Sequence, residues 1–519
     1  MKKLTAILLS LVLILSLCSA AMLTVGAEET TASVWDGTAN IKWYFDGKTA
    51  GMGEYELKSA ADLAGLAYLV NASQSTACYT GVYYDANYNV LGYRLGGSAG
   101  APYADMSLVY TPTAGDGSQV TAGEAFVWQT VKLCVDVVLN EGDAATWGTT
   151  APANEWQPIG GGIAEGANKW FGFDGTFDGQ GHTVSGMYTS IPVESDATGA
   201  GFFGIMGYTT NAGVANLTIE NFYIETARAA SGLVGRTKQP VTIDNCVVKN
   251  GYVVGTTAQT GGLVAAAFNS IAITNCAVDN VSVKGYDYAG GFVGLSNGSS
   301  VDITDSYMTG SVECAAQMGL IVGRKNGGTI NLINVYTAIE GKETETEGNI
   351  GAGVILGFTA AGSSAIGITA ENYFYVKNIT ATSVISGTDT EGATEVTLAQ
   401  LTGETAATTL TGFDFETVWK TVENGTPIIE LRETPNEGGG ETEEPGNDET
   451  ETPGNNETEA PGNDETEAPD NNETNAPETN EPTNTDDKKE GGCGSVIGFA
   501  SVAMIAMVAG ACVIRKKEN

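Results

Sequence analysis

The chemistry open to this chain is narrow. It has one histidine in 519 residues, His182, so a histidine-based triad has a single candidate and a His-rich zinc site has none. No Ser or Cys can be set beside it from sequence, and a lone histidine in a repeat-like phrase reads as structural. Of the eight cysteines, Cys18, Cys493 and Cys512 lie in the end segments, which leaves Cys78, Cys134, Cys246, Cys276 and Cys314. No CxxC spacing occurs, so no metal site is expected. Cys246 and Cys276 fall one repeat apart in the same inward column. A separation of about 4.8 Å would permit a disulfide there, although stacked cores more often hold free thiols.

A polysaccharide lyase needs carboxylates for Ca²⁺ and a basic residue to abstract a proton. Asp302, Asp305, Arg236 and Arg324 are candidates in kind. Repeat geometry accounts for all but Asp302, so no catalytic residue, metal or cofactor is assigned. The remaining candidates are aromatic. The stretch at about 72–123 carries Tyr79, Tyr83, Tyr84, Tyr88, Tyr93, Tyr103 and Tyr110 among Gly and Asn. Such a mix gives rigid amphipathic contact area with adaptable polar groups, as recognition loops do. Tyr83, Tyr84, Tyr88, Tyr93 and Tyr103 are therefore the expected ligand-binding residues. The competing expectation is a cap that shields an open end of the fold.

Composition sets limits on the partner. Asp and Glu number 62 against 24 Lys and Arg, a formal net charge of -38. Nucleic acid is excluded, because phosphate binding needs clustered Lys and Arg. With 42% hydrophobic residues and 69 Gly, the body is expected to be Gly-rich and all-β.

The elements that would position these residues recur. Five short phrases, AGFFG, SGLVG, GGLVA, GGFVG and GLIVG, end at Gly204, Gly235, Ala265, Gly294 and Gly323. Their spacing is about 30 residues. A looser copy, GVILG, ends at Gly357. The phrases that follow stack Asn216, Asn245, Asn275, Asp305 and Asn334. Two positions earlier sit Val214, Ile243, Ile273, Ile303 and Leu332, and three later sit Ile219, Val248, Val278 and Met308. The apolar period is two on each side, hence strand, but slips by one at the Asn. The slip means that the chain turns there, in the left-handed conformation that Asn and Asp tolerate. A second column, Asn221, Asn250 and Asn280, lies five residues on. One such unit cannot bury its apolar face, but a stack of parallel-paired coils can. The pattern is that of a parallel β-helix. A β-propeller would take longer repeats.

The GLVG-type phrases resemble the GLUG repeats of bacterial surface proteins. TFDGQGHTVSGM (Thr176–Met187), preceded by EWQPIG (Glu155–Gly160), looks like the first coils of that family. SAADLAGLAYLVN (Ser59–Asn71) resembles its N-terminal helical cap, and GFDFETVWKTVENGTPIIEL (Gly412–Leu431) its closing segment. The resemblance covers most of 35–431 and implies a right-handed β-helix. Ala265, where Gly is usual, and the Tyr-rich insert are departures.

The ends complete the organisation. Residues 1–27 read as a secretory signal: Lys2 and Lys3, an apolar run from Ala6 to Leu17, and small residues at Val25-Gly26-Ala27. Residues 28–150 hold the cap and first strands, and 151–431 the repeats with their closing segment. Residues 432–492 are an acidic tandem repeat of the type PGNDETEA, without the apolar residues that ordering requires. They are expected to form an extended, disordered stalk. Residues 493–514 are an apolar run long enough to span a bilayer. The basic cluster Arg515-Lys516-Lys517 within 515–519 would stay cytoplasmic. The fold class expected is thus an all-β solenoid with a helical cap, a stalk and one transmembrane helix. The function expected is an adhesin-like surface protein that binds an extracellular glycan or a matrix or surface protein. Alternatives are a structural surface protein without ligand and a polysaccharide lyase or hydrolase.

Processing is expected after Ala27, so N-terminal sequencing of the surface protein should begin at Glu28. A lipid-bearing start at Cys18 would replace this reading with a lipoprotein one.

Overall fold

The computed structural model describes residues 33–72, 79–95, 106–161, 172–191, 199–257, 259–297, 300–343, 351–359, 367–376, 379–380 and 392–432. All of them fall in one compact unit, Met1–Gly440. The expected signal, stalk and apolar C-terminal run lie outside the described residues, as do Cys78 and Tyr103. Among the described residues, no helix is long and apolar enough to cross a membrane.

The described chain is mostly β, and its strands pair in parallel with the strand one coil away. Val241–Asp244, Ile271–Thr274 and Ser300–Thr304 lie side by side, with Ile243 opposite Ile273 and Ile273 opposite Ile303. The next stretch repeats this, with Val248 opposite Val278 and Val278 opposite Met308. Two smaller parallel sheets complete each coil. One contains Gln259–Gly261 and its equivalents, the other Val264–Ala267 and its equivalents. This is a β-helix-like solenoid. The Ile243, Ile273, Ile303 and Leu332 side chains are fully buried, as are Val248, Val278 and Met308. Each coil thus buries its apolar columns only because a neighbour covers them.

The slip in the apolar period has the expected cause. Asn216, Asn245, Asn275, Asp305 and Asn334 all have φ between 45° and 55°, and Asn221, Asn250 and Asn280 between 51° and 54°. Asn372, with φ 58°, extends the first column. The amides of this column bond from coil to coil. Asn245 Nδ2 donates to Asn216 Oδ1 at 2.8 Å, and Asn275 Nδ2 to Asn245 Oδ1 at 2.7 Å. Asn334 Nδ2 donates to Asp305 Oδ1 and Asn372 Nδ2 to Asn334 Oδ1, both at 2.9 Å. Asp305 has no N–H to offer, and Asn275 Oδ1 is buried without a partner. The ladder is broken at that step.

Glycine in the repeat phrases answers close approach of backbones. A Cβ on Gly232 would sit 2.9 Å from the Gly262 carbonyl oxygen of the next coil. Cys246 and Cys276 are both buried and free. Their thiols donate to carbonyls two residues back, at 3.2 Å to Asp244 O and 3.1 Å to Thr274 O. Burial pushes the Cys246 thiol well above its ordinary pKa.

The N-terminal end of the stack is covered. Helix α1, Lys42–Ala50, and helix α2, Ala60–Asn71, flank strand β1, Glu54–Leu57. Ser59 caps α2 by accepting from Asp62 N, while Asp62 accepts from Lys58 N. The Tyr-rich insert folds as a three-stranded antiparallel sheet of β2, Tyr79–Tyr84, β3, Val90–Leu95, and β4, Gln119–Thr121, in the order β3-β2-β4. Sequence periodicity gave no sign of it. Strand β1 pairs in parallel with β5, Thr130–Leu133, and β5 with Thr176–Asp178, so the solenoid's stacking begins at Glu54.

The closing segment lies along the flank. Trp419, Phe413 and Ile429 cover the outward column Val247, Ala277, Tyr307, Tyr336 and Phe374. The Trp419 ring centroid is 5.7 Å from that of Tyr336, whose hydroxyl donates to Pro427 O. Arg432 then docks on the first Asn column: its N–H donates to Asn245 Oδ1 at 2.9 Å, and its guanidinium pairs with Asp244.

Asp305→Asn should close the broken ladder and raise stability by about 1 kcal/mol, the net value of one buried hydrogen bond. Asn275→Val should lower it by roughly 1–3 kcal/mol, because a β-branched residue is strained at positive φ. Denaturant titration of both variants checks this. No change in either would reject the ladder as a source of stability.

Candidate functional site

The expected tyrosines do not form one exposed surface. Tyr93 is fully buried and Tyr84 is 6% exposed. The Tyr93 ring lies 4.7 Å from Tyr68, and its hydroxyl donates to Gln157 Oε1 at 3.1 Å. Tyr84 stacks on Tyr88 at 5.7 Å, and both rings meet Phe45 of α1. Tyr88 takes φ 63° in the β2–β3 turn. Tyr83, half-buried, packs edge-on against Tyr110 at 5.4 Å. Most of these rings are spent joining the insert to the cap helices, which leaves Tyr83 and Tyr88 the larger share of open surface. Tyr103 lies outside the described residues.

The acid–base candidates are scattered or occupied. Arg236 and Arg324 share one column, as the repeat phrases imply. Arg236 is buried, and burial with the neighbouring Arg228 lowers its pKa to about 10. Arg324 donates to Tyr288 Oη at 2.6 Å and to Asn326 Oδ1 at 3.0 Å. Asp302 accepts from Ser300 and Asn331. Beside Arg324 sits a residue that sequence reasoning missed. Lys325 is fully buried, donates to Ser296 Oγ at 3.1 Å, and has its pKa lowered to about 8 by burial. That value would suit a general base, but the ammonium has no route to a polymer outside.

His182 gains neighbours that sequence could not supply. Its Nδ1 lies 3.1 Å from Asp136 Oδ1, and Cys134 lines the same groove of about 740 Å³. These are the residue types of a thiol nucleophile, its base and the orienting carboxylate. The thiol is in the wrong state for that role. Burial, aided by Glu56, pushes the Cys134 pKa up, whereas a reactive cysteine has a lowered one. The thiol donates weakly to Gln180 Oε1 at 3.7 Å. Among the described residues, no cluster of His, Cys, Asp and Glu could hold a metal.

The most unusual side chain is Trp128. Ahead of β5 the chain makes a turn in which Gln129 N donates to Phe126 O at 3.0 Å. Phe126 and Trp128 both have φ 59°, an outlier for bulky residues that costs of order 1–3 kcal/mol each. Phe126 is fully buried, against Tyr55, Trp43 and Phe173. Two residues on, Trp128 is 80% exposed, with no ring or hydrogen-bond partner among the described residues. It borders an open groove of about 420 Å³ whose floor includes Gly213, Ala215, Thr176 and Thr242. Asp174 and Asp244 also reach it but are engaged, Asp174 by Tyr208 N and Thr209 N, Asp244 by Arg432. A flat indole above small residues, with hydroxyls beside it, offers stacking and hydrogen bonding together. No sequence signal marked the break. Val131 and Leu133 face inward, so Phe126 could be buried only if the strand broke before Thr130.

Lys325 is expected to act on stability, not on a substrate. Its folded pKa of about 8 lies below the free-lysine value, so the charged form is the disfavoured one in the fold. The penalty is fully present below about pH 8 and is relieved as pH rises toward about 10.4, where free lysine deprotonates. Lys325→Met should raise the melting temperature at pH 7 and flatten the rise expected between pH 8 and 10. A pH profile identical to that of the parent protein would reject this account.

Comparison with known proteins gives partial likenesses. No family model matches the chain. Halomucin of Haloquadratum walsbyi is 26% identical over 239 residues, a stretch that covers 44% of this chain and 2% of halomucin. The chain thus corresponds to a very small part of that protein. Among solved structures, a candidate immunoglobulin A1 protease from Bacteroides ovatus is similar at 19% identity with a TM-score of 0.41, covering 59% of this chain and 87% of the other.

Proposed function

We propose that the chain is an adhesin-like protein of a bacterial cell surface, binding an extracellular glycan or protein through its solenoid. The observation that carries this reading is Trp128, a large apolar ring held in solvent by a strained turn above an open groove. Strain of that kind persists where the surroundings over-determine it, commonly at ligand sites. The GLUG-type phrases support a right-handed β-helix of the surface-protein type. The signal-like start, the acidic repeat and the apolar run before Arg515 support display on the outer face of a membrane, with 432–492 as stalk and 493–514 as the span. On this reading Tyr83 and Tyr88 are secondary contacts, and the solenoid flank is the principal one.

A structural surface protein without ligand is the competing reading, and Trp128 separates the two. A binding screen of extracellular glycans and matrix proteins against the full chain should find saturable binding. Trp128→Gly should weaken it by about tenfold, the share of one stacked ring. The same change should raise the melting temperature, because Gly takes positive φ without strain. Saturable binding that Trp128→Gly leaves intact would remove the groove from the function. Failure of every ligand to bind would favour the structural role.

A further inference from the structure

A second groove lies further along each coil, on the outer side of the second Asn column. It measures about 310 Å³ and is lined by Asn250, Tyr252, Asn280, Ser282 and Ser311, with Asp143 at its rim. Two ladders stop in it at once. In the amide ladder, Asn280 Nδ2 donates to Asn250 Oδ1 at 2.8 Å. The next coil is one residue shorter here: Gly310, with φ 109°, pairs with Val281, and Thr309, whose hydroxyl accepts from Asn280 N at 2.7 Å, leaves no Asn to continue the column. Asn250 Nδ2 and Asn280 Oδ1 therefore have no side-chain partner among the described residues. In the aromatic ladder, Tyr188 stacks on Tyr223 at 6.0 Å, and Tyr223 meets Tyr252 at a tilt, 6.5 Å away. The next places in register are Ser282 and Ser311. One face of Tyr252 is left without a ring, above two hydroxyls that lie 3.5 Å apart.

We infer that this groove binds an uncharged sugar chain running along the solenoid axis. A pyranose ring would take the place of the missing aromatic against Tyr252. Its hydroxyls would meet the open amide groups of Asn250 and Asn280 and the hydroxyls of Ser282 and Ser311, which both donate and accept. Successive coils are about 4.8 Å apart, a step comparable to the length of one sugar ring, so adjacent rings would meet successive coils. The ligand is uncharged because the groove offers no cation and its carboxylate is already engaged. No Lys or Arg lines the groove, and the net charge of -38 repels anions. Its one carboxylate, Asp143, caps a turn by accepting from Ala145 N at 2.9 Å. At the near end both groups of the Asn221 amide are used, by Gly142 O and Ala144 N, so the run of open groups starts at Asn250. The inference goes beyond the Trp128 reading and does not need it.

Affinity electrophoresis of the full chain tests this. The probes are a neutral β-glucan, xylan and galactomannan, set against polygalacturonate and chitosan. At least one neutral polymer should retard the protein, and Ser282→Tyr, which supplies the next ring of the ladder, should weaken that binding at least tenfold. Tyr252→Ala should do the same, and serves as the readout if Ser282→Tyr lowers the melting temperature. Retardation by none of the neutral polymers, or only by the charged ones, overturns the inference. Neutral-polymer binding that both variants leave within twofold also overturns it. If Trp128→Gly abolishes such binding while these two do not, the Trp128 reading stands and this one falls.

Discussion

Everything in this solenoid depends on one backbone constraint: each coil must turn at the same residue as its neighbour, in a conformation most side chains avoid. The first Asn column meets it with φ near 50° from Asn216 to Asn372. If one corner moved by a residue, every side chain of the following strand would change face. The amide ladder ties the corners together, so local conformation and inter-coil register are enforced by the same side chain. Asp305 keeps the φ but loses the donor, which separates the two roles. The corner survives there without the hydrogen bond to the coil before it.

A stack of this kind has vulnerable ends and flanks, and the chain spends much of its aromatic content on them. The helices α1 and α2 and the antiparallel sheet β2–β4 gather Trp43, Tyr44, Phe45, Tyr84 and Tyr93 into the near end. Edge strands there would otherwise present unpaired backbone groups to other chains. The closing segment does a different job. It binds several coils at once, because it crosses Phe374, Tyr336, Tyr307, Ala277 and Val247 on its way to Asn245. Separating those coils requires stripping the segment away, which adds cooperativity to a fold whose contacts are otherwise between nearest neighbours.

The body was legible in the sequence because its physics is periodic. Ile243, Ile273 and Ile303 recur at the coil length, and the slip at Asn245 and Asn275 marks a turn that keeps both apolar faces inward. The ends were less legible because nothing in them repeats. In β2, Tyr83 is half-buried and Tyr84 buried, so both faces of that strand carry aromatic rings and its alternation vanishes. The position of 412–432 on the flank depended on the outward column Tyr307 and Tyr336, which reads from sequence as an exposed face. Trp128 was hidden by a run, AFVWQTV, that scans as one strand. Only the buried state of Phe126 shows that the strand must break.

Two outward aromatic columns show how function can be read on such a fold. Inward columns are fixed by packing and outward ones are free, so an outward ring needs a reason. Tyr307 and Tyr336 have theirs in Trp419 and Pro427 of the same chain. Tyr188, Tyr223 and Tyr252 have one another, then Trp147 at one end and, among the described residues, no further ring at the other. An aromatic column covered by its own chain is accounted for by stability. A column that stops against open polar groups, like the single ring of Trp128 above its groove, leaves apolar surface in water that the fold does not require. Interaction with something outside the chain is the simplest use of that surface, and the amides and hydroxyls beside it set the chemistry: directional, uncharged, and repeated at the height of a coil.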